Sequence, residues 1–554
     1  MAQRLEIPNI SDIPSAEQTP IVKALLRICH QQQEQIAQQQ EQIAQQQEQI
    51  HLLKEKVQGL RDEIARLKKQ KPKPKLKPSS LEDSSKSTDK QADNPKRPGS
   101  IKRKKQLEIH DTITISPTNI PEGSIRKDVE EFTIQDIIIK PHHVTYRLER
   151  WVTPDGKTIR GNIPEGVSKG HFGPTLVSFI LYQYYHAQVT QPLIWEQLRE
   201  YGIDISTGQV NRIITEGHDT FHREKDEILK VGLEVSTYIH TDDTGARHNG
   251  KNGYCTHIGN NWFAWFESTS SKSRVNFLNL LRGKHDDYIL NADALEYMKQ
   301  KKLPQAQLEI LSAYTGEAFS EICIWESFLA ENNLLSPRHY QIATEGALLG
   351  SVIEHGIHPQ VVIVSDDAGQ FNVLQHALCW IHAERTIKKL VGFTDEQQAA
   401  LEAKQKEFWE FYAELNAYKE APSQDKKQHI QCRFDEIFTD KTCFASLNKA
   451  LERLHKNKSE LLLVLDRPDI PLHNNPSEQD IRDYVKKRKI SGSTRSECGR
   501  RCRDTFTSLK KTCRKLGVSF WQYIRDRLSG SHKISPLSEI IKVRAEEAFN
   551  ASHS

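Results

Sequence analysis

The chain has 554 residues, too many for one hydrophobic core, so several domains are expected. Its 77 Lys and Arg nearly balance its 73 Asp and Glu, leaving a formal charge of +4, so any nucleic-acid surface must concentrate charge locally. Nine cysteines without a C-x2-C pair, no leader signature and no apolar run near ~18 residues argue against disulfide-scaffold and membrane classes, and for a soluble, cytoplasmic chain.

Residues 1–70 carry a heptad pattern. QQQEQIA at 31–37 recurs at 38–44, and QQQEQI follows at 45–50. Isoleucines fall at 36, 43 and 50, extended by Val22, Cys29, Val57 and Ile64. The second seam position holds Leu25, three glutamines, then Leu53, Leu60 and Leu67. Such a pattern predicts a coiled coil, weakened in its middle, that would make a homo-oligomer. A single solvated helix is the alternative. Residues 71–125, with KKQKPKPKLKP and KRPGSIKRKK, predict a basic, polar linker without a core. Residues 126–170 predict a small β-rich unit, because FTIQDIIIK, HVTYRLERWV and KTIRGNI are rich in β-formers and Pro154-Asp155-Gly156 is a turn signal.

Residues 171–230 turn helical. Thr190 can cap one helix bearing Leu193, Ile194 and Leu198, Gly202 breaks it, and Ser206 can cap a second bearing Val210, Ile213 and Ile214. This pattern fits a helix-turn-helix or an ordinary helical hairpin. In a DNA-binding version Thr207, Gln209, Asn211 and Arg212 would face bases or phosphates.

Acids then appear at three distinctive places. Residues 233–268 predict a three-stranded antiparallel meander, with turns at Asn249-Gly250, Asn252-Gly253 and Gly259-Asn260 and Asp242-Asp243 ending its first strand. A second strand, QVVIVS at 360–365, is apolar throughout, as a strand buried on both faces would be, and runs into Asp366-Asp367. A late helix is expected to begin at Asn475, with Pro476 at its first turn and Glu478 three residues on. Each acid has a plain structural reading: Asp242-Asp243 as a polar strand end, Asp366 as a cap, Glu478 as the acid of a capping box. Taken together, strand acid, strand-tip acid and helix acid are the layout of an RNase H-like nuclease core. Three carboxylates there suit Mg²⁺, a hard cation with oxygen ligands, and two such ions suit phosphodiester displacement.

Four stretches of this region resemble the IS66-like family of bacterial DDE transposases. They are TDDT at 241–244, VSDDAGQF at 364–371, CWIHAER at 379–385 and HNNPSEQDIRDYVKKRKISGSTRSECG at 473–499. The last is long and specific; the resemblance covers roughly 170–530. It implies that Asp242, Asp366 and Glu478 are the catalytic metal ligands, with Asp243 and Asp367 as the other choices in each pair. It implies two Mg²⁺ ions (Mn²⁺ as a substitute) and transposon-end and target DNA as partners, near the nucleoid. Cys379 and His382, too few for a zinc site, would support the core and the scissile phosphate. Relatives often carry a cysteine-rich zinc element near the N-terminus; it is missing here, so no structural zinc is expected.

The basic run beside Glu478 contains Arg482, Lys487, Arg488 and Lys489, expected to meet DNA phosphates. A solvated helix face, with Glu478–Arg482 as an i,i+4 pair, is the alternative. Overall the sequence predicts a multidomain, mainly α protein with an α/β core. An RNase H-like domain spans 231–531, with helical insertions at about 284–356 and 392–470, and a tail covers 532–554. The implied function is DNA cleavage and strand transfer at terminal inverted repeats. A nuclease that does not join strands, or a decayed DNA-binding regulator, are the alternatives.

Overall fold

The computed structural model describes scattered residues between 14 and 39, chiefly 19–29, and residues 108–553 except 165, 166, 168, 169, 359 and 393. The chain separates into two units, residues 1–130 and 131–554. In the first, residues 20–29 are helical and 108–130 are almost free of regular structure. Most of the heptad pattern and of the basic linker lies outside the described residues.

The second unit is mainly helical and built around one mixed sheet. Its first strands, β1 (Arg150–Val152) and β2 (Thr158–Arg160), form a short exposed hairpin around the predicted turn. The β-formers at 132–149 make no strand. Ile137 and Ile138 stand 80% and 83% exposed, and pairing needs a neighbouring strand that local propensity does not supply.

Two helices follow as expected, Gln191–Glu200 and Thr207–Thr215. Gly202 takes φ +79° at the break between them, a left-handed turn that favours glycine. Ser206 accepts a hydrogen bond from the Gln209 amide, whereas Thr190 stands at the cap position without a side-chain bond. Ile194, Leu198, Val210, Ile213 and Ile214 are buried; Leu193, expected to join them, is exposed.

The central sheet has the order β5-β4-β3-β8-β9. β3 (Tyr238–Gly245), β4 (Tyr254–Gly259) and β5 (Ala264–Thr269) form the predicted meander. Between β3 and β4, Asn249 and Gly250 both take positive φ, as a tight hairpin turn requires. Two short strands, β6 (Tyr288–Ile289) and β7 (Ala318–Phe319), pair with each other in the 284–356 region. β8 (Val362–Ser365) then runs parallel to β3, and β9 (Gln375–Leu378) parallel to β8.

β8 is buried along its length because helices cover both of its faces. Val362 and Val364 pack with Trp380, Phe408, Phe411, Phe434 and Phe438 from the helices between 380 and 456. Ile363 packs on the other side, with Ile239, Ile258 and the helices of 174–235 and 502–541. The 284–356 region joins that second core through residues such as Tyr288, Trp325 and Leu348. The final helix, Leu537–His553, buries Leu537 and Ile541 there, so the expected tail docks by its first turns. Among the described residues no helix is long and apolar enough to cross a membrane.

Candidate active site

Side chains alternate along a strand, so His240 and Asp242 share one face of β3, and Asp243 points to the other. The Asn475–Ser491 helix meets the first of these faces. Its cap residue is Asn474 rather than Asn475, one residue earlier than expected, and it makes no capping bond to the helix amides. Fully buried, the Asn474 side chain instead contacts His240 Nδ1 at 3.0 Å and donates to the Thr241 carbonyl at 2.8 Å. Its backbone amide donates to Cys379 Sγ at 3.1 Å. One asparagine thus ties β3, the end of β9 and the helix start together.

Asp366 follows the last residue of β8, and its Oδ1 accepts from the Ala368 amide at 3.1 Å. Asp242 lies within electrostatic reach of both Asp366 and Glu478. Burial pushes the Asp242 carboxyl up to about 7, helped by the negative charges of Asp366, Asp243 and Glu478 and opposed by the Asp243 amide. Among the described residues no group of three or more His, Cys, Asp or Glu is arranged to hold a metal ion.

The second aspartate of each pair is engaged elsewhere. Asp243 accepts from Thr256 Oγ1 at 2.6 Å and Gln370 Nε2 at 3.0 Å. Asp367 receives the Arg453 guanidinium, with Nε at 3.0 Å, and so faces the helical region at 445–456.

Glu478 does not close a capping box. Its carboxylate meets Arg385, with Nη2 donating to Oε2 at 3.2 Å and Nη1 at 3.0 Å from Oε1. His382 Nε2 lies 3.4 Å from Oε1. Burial, with the Arg385 charge beside it, holds the His382 pKa below its usual value. Cys379 is buried and its thiol is pushed up by desolvation. Arg385 had a signal in the sequence: it follows His382 by three residues, on one helix face.

The basic run divides. Arg482 and Lys489 are exposed. Arg488 is half-buried and donates to the Gly245 carbonyl at the end of β3. Lys487 departs from the expectation of a DNA-facing side chain. It is only 4% exposed, donates to the Tyr184 carbonyl at 2.8 Å and lies 3.4 Å over the Tyr184 ring. Burial lowers its pKa to about 7. In the second of the two short helices, Thr207, Asn211 and Arg212 are exposed and Gln209 is half-buried.

Beneath Glu478 lies a buried ionic cluster that the sequence reading missed. Asp480 contacts Lys515 at 2.9 Å, Lys511 at 3.4 Å and His257 Nε2 at 3.3 Å, and His257 Nδ1 bonds Ser477 Oγ at 2.7 Å. These contacts clamp the helix first turns between β4 and the Glu497–Leu516 helix.

The family profile described as Transposase IS66 family matches residues 349–501, a span holding Asp366, Arg385 and Glu478. The chain belongs to the IS66 transposase family. A protein of Sinorhizobium fredii (strain NBRC 101917 / NGR234), named "Uncharacterized protein y4jO", is 42% identical over 321 residues. That alignment covers 57% of this chain and the whole of the relative. The IS66 profile spans the β8–β9 strands and the Glu478 helix but stops short of β3, so Asp242 lies outside it.

Proposed function

We propose that this IS66-family chain is a DNA transposase whose catalytic acids are Asp242, Asp366 and Glu478. What carries the reading is the placing of the three acids, Asp242 on β3, Asp366 just after β8 and Glu478 on the first turn of the Asn475–Ser491 helix, where burial and the charges of Asp366, Asp243 and Glu478 raise Asp242 to about 7. A half-buried acid surrounded by other acids is a place that favours positive charge. The donor set fits a hard divalent cation, being all oxygen. When bound, Mg²⁺ at these residues would stabilise attacking and leaving oxygens in phosphodiester exchange. The protein's own part is to hold the acids on rigid elements. Asn474 fixes the Glu478 helix to β3, and the Asp480 cluster fixes it from below.

The sheet order supports an RNase H-like core over 231–531, with helical additions at about 284–356 and 392–470. Residues 171–230 would read DNA as a helix-turn-helix, presenting Thr207, Gln209, Asn211 and Arg212. The heptads of 1–70 would pair two copies so that both transposon ends are held at once. Residues 126–170, in which only the hairpin of β1 and β2 is β structure among the described residues, are left without assigned chemistry.

A strand-transfer assay with pre-cleaved end DNA and Mg²⁺ tests the reading. Wild-type protein is expected to join ends to target, and Glu478→Gln to bind ends but join about a thousandfold less or worse. Cleavage without joining would favour the plain nuclease; joining that survives Glu478→Gln removes Glu478 from the site.

Salt dependence gives a separate check on the basic run. Arg482→Ala and Lys489→Ala should each weaken end binding on every sequence and lower the salt slope by about one. Lys487→Ala should leave the slope unchanged, because that ammonium faces Tyr184. A slope lowered only by Lys487→Ala would reverse the assignment.

A further inference from the structure

The three acids are not held alike. Asp242 Oδ1 accepts from the Asp243 amide at 2.8 Å and Asp366 Oδ1 from the Ala368 amide, both neutral backbone donors. Glu478 alone of the three has a guanidinium across its carboxylate, with Arg385 nitrogens at 3.0 and 3.2 Å from its two oxygens. His382 does not share in this hold. Its Nε2 lies 3.0 Å from Arg385 Nη1, and a guanidinium N–H can only donate. Nε2 is then an acceptor and cannot also donate to Glu478 Oε1.

We propose that Arg385 is a displaceable counter-ion for Glu478, holding its carboxylate in the cation-free protein and yielding it to a divalent cation bound with Asp242 and Asp366. This rests on the metal-binding reading of the three acids. Arg385 is a positioning residue: it acts on the site through Glu478.

Two features make the pair a latch rather than a fixed strut. The Arg385 side chain is 41% exposed while Glu478 is 17% exposed, so the guanidinium has water on its free side. A partly exposed pair is worth little and can exchange partners; a fully buried one could not. Next, the helix carrying Arg385 is anchored. Trp380 at its start is buried, with ring centres 5.3 and 5.5 Å from Phe408 and Phe411. Release therefore needs only a side-chain rotation, with the helix left in place.

The test is Mn²⁺ binding to the full chain, measured by calorimetry without DNA. Arg385→Gln removes the competitor and is expected to bind Mn²⁺ about five- to tenfold tighter than wild type. Arg385→Lys keeps the charge but loses the Nη2 hydrogen bond to Glu478 Oε2, and should bind about twofold tighter. A merely structural arginine would lower the melting temperature of both variants and leave Mn²⁺ affinity equal or weaker. That outcome overturns the proposal; if Arg385→Gln does not fold, the lysine variant decides alone. Glu478→Gln separates the two levels. If it loses Mn²⁺ affinity while the Arg385 variants match wild type, only the latch falls. If it binds Mn²⁺ as wild type does, the metal reading falls and the latch with it.

Discussion

Replacing Asp242 with asparagine is expected to stop strand joining and, at the same time, to make the metal-free protein more stable. Burial and three neighbouring carboxylates hold the Asp242 pKa near 7 against 3.8 in a free side chain. The folded value is raised, so the group's stabilising contribution is full below about pH 3.8 and lost as pH rises through about 7. At pH 8 the wild-type fold carries an ionised acid among other acids. Asparagine keeps the shape and the acceptor for the Asp243 amide but not the charge. We expect a gain of about 2–4 kcal/mol at pH 8 in chelator, shrinking toward nothing near pH 4. Adding Mg²⁺ should raise the wild-type melting temperature and leave Asp242→Asn unmoved, because only a protein that binds the ion gains from it. Thermal melts at pH 4 and 8, with chelator and with Mg²⁺, check all three parts. A variant that melts below wild type at pH 8 in chelator would show that Asp242 stabilises the fold, and the site would lose its strained acid. The signature is specific: a residue kept for chemistry at the expense of stability behaves this way, while a polar strand end does not.

Much of the sheet was legible because strands β3, β4, β5 and β8 carry local signals. Turn residues such as Asn249-Gly250 sit where the backbone needs positive φ, and the unbroken apolar run of β8 matches a strand covered on both faces. The misreadings have physical causes. Asn474 and Asn475 are equivalent as cap candidates in sequence, and only the tertiary bonds of Asn474 to His240 and Thr241 separate them. Lys487 was read by its charge, yet Ser477, Asp480, Ile481, Tyr484 and Lys487 recur every three or four residues along the helix and are all buried. Periodicity placed it inside; the density of basic residues around it pointed outward. The residues 132–149 have strand-like composition, but a strand is a property of two segments, and among the described residues no second segment pairs with them as a strand. The pairing of Arg385 with Glu478 and the Asp480 cluster were invisible for the same reason. Their partners lie 93 positions away in one case, across β4 and the Glu497–Leu516 helix in the other, and no spacing rule spans such distances.

That cluster carries the second large expectation: Asp480→Ala should destabilise the second unit by about 3–5 kcal/mol. Asp480 is 7% exposed, and burial alone would raise its pKa; His257, Lys515 and their contacts hold it well below the usual carboxylate range instead. Removing it leaves Lys511, 5% exposed, with the Asp483 carboxylate at 2.9 Å and the Gln479 carbonyl, and Lys515 with the Asn260 carbonyl but no carboxylate in reach among the described ion pairs. Losing one carboxylate from a buried cluster of two ammonium groups costs more than the pair contributed, because their desolvation is then less fully offset. The folded value is depressed, so this stability is present above about pH 4 and is lost as pH falls toward the folded value. The gap between wild type and variant should therefore be widest at neutral pH and narrow below pH 4. Asp155→Ala, on the exposed hairpin, provides the contrast: its ion pair with Lys157 is open to water and its loss should leave melting unchanged. The two variants together decide whether the Glu478 helix is held by its apolar face or by this ionic clamp. Only three side chains, Ala264, Phe266 and Cys255, meet Ile481 and Tyr484 besides Ala246 in the small apolar cluster under the helix. So thin an apolar seam cannot fix a catalytic carboxylate within a fraction of an ångström, and we expect Asp480→Ala to lower joining even at temperatures where the fold survives. Equal melting and equal joining at pH 7 would assign the helix to its apolar seam alone.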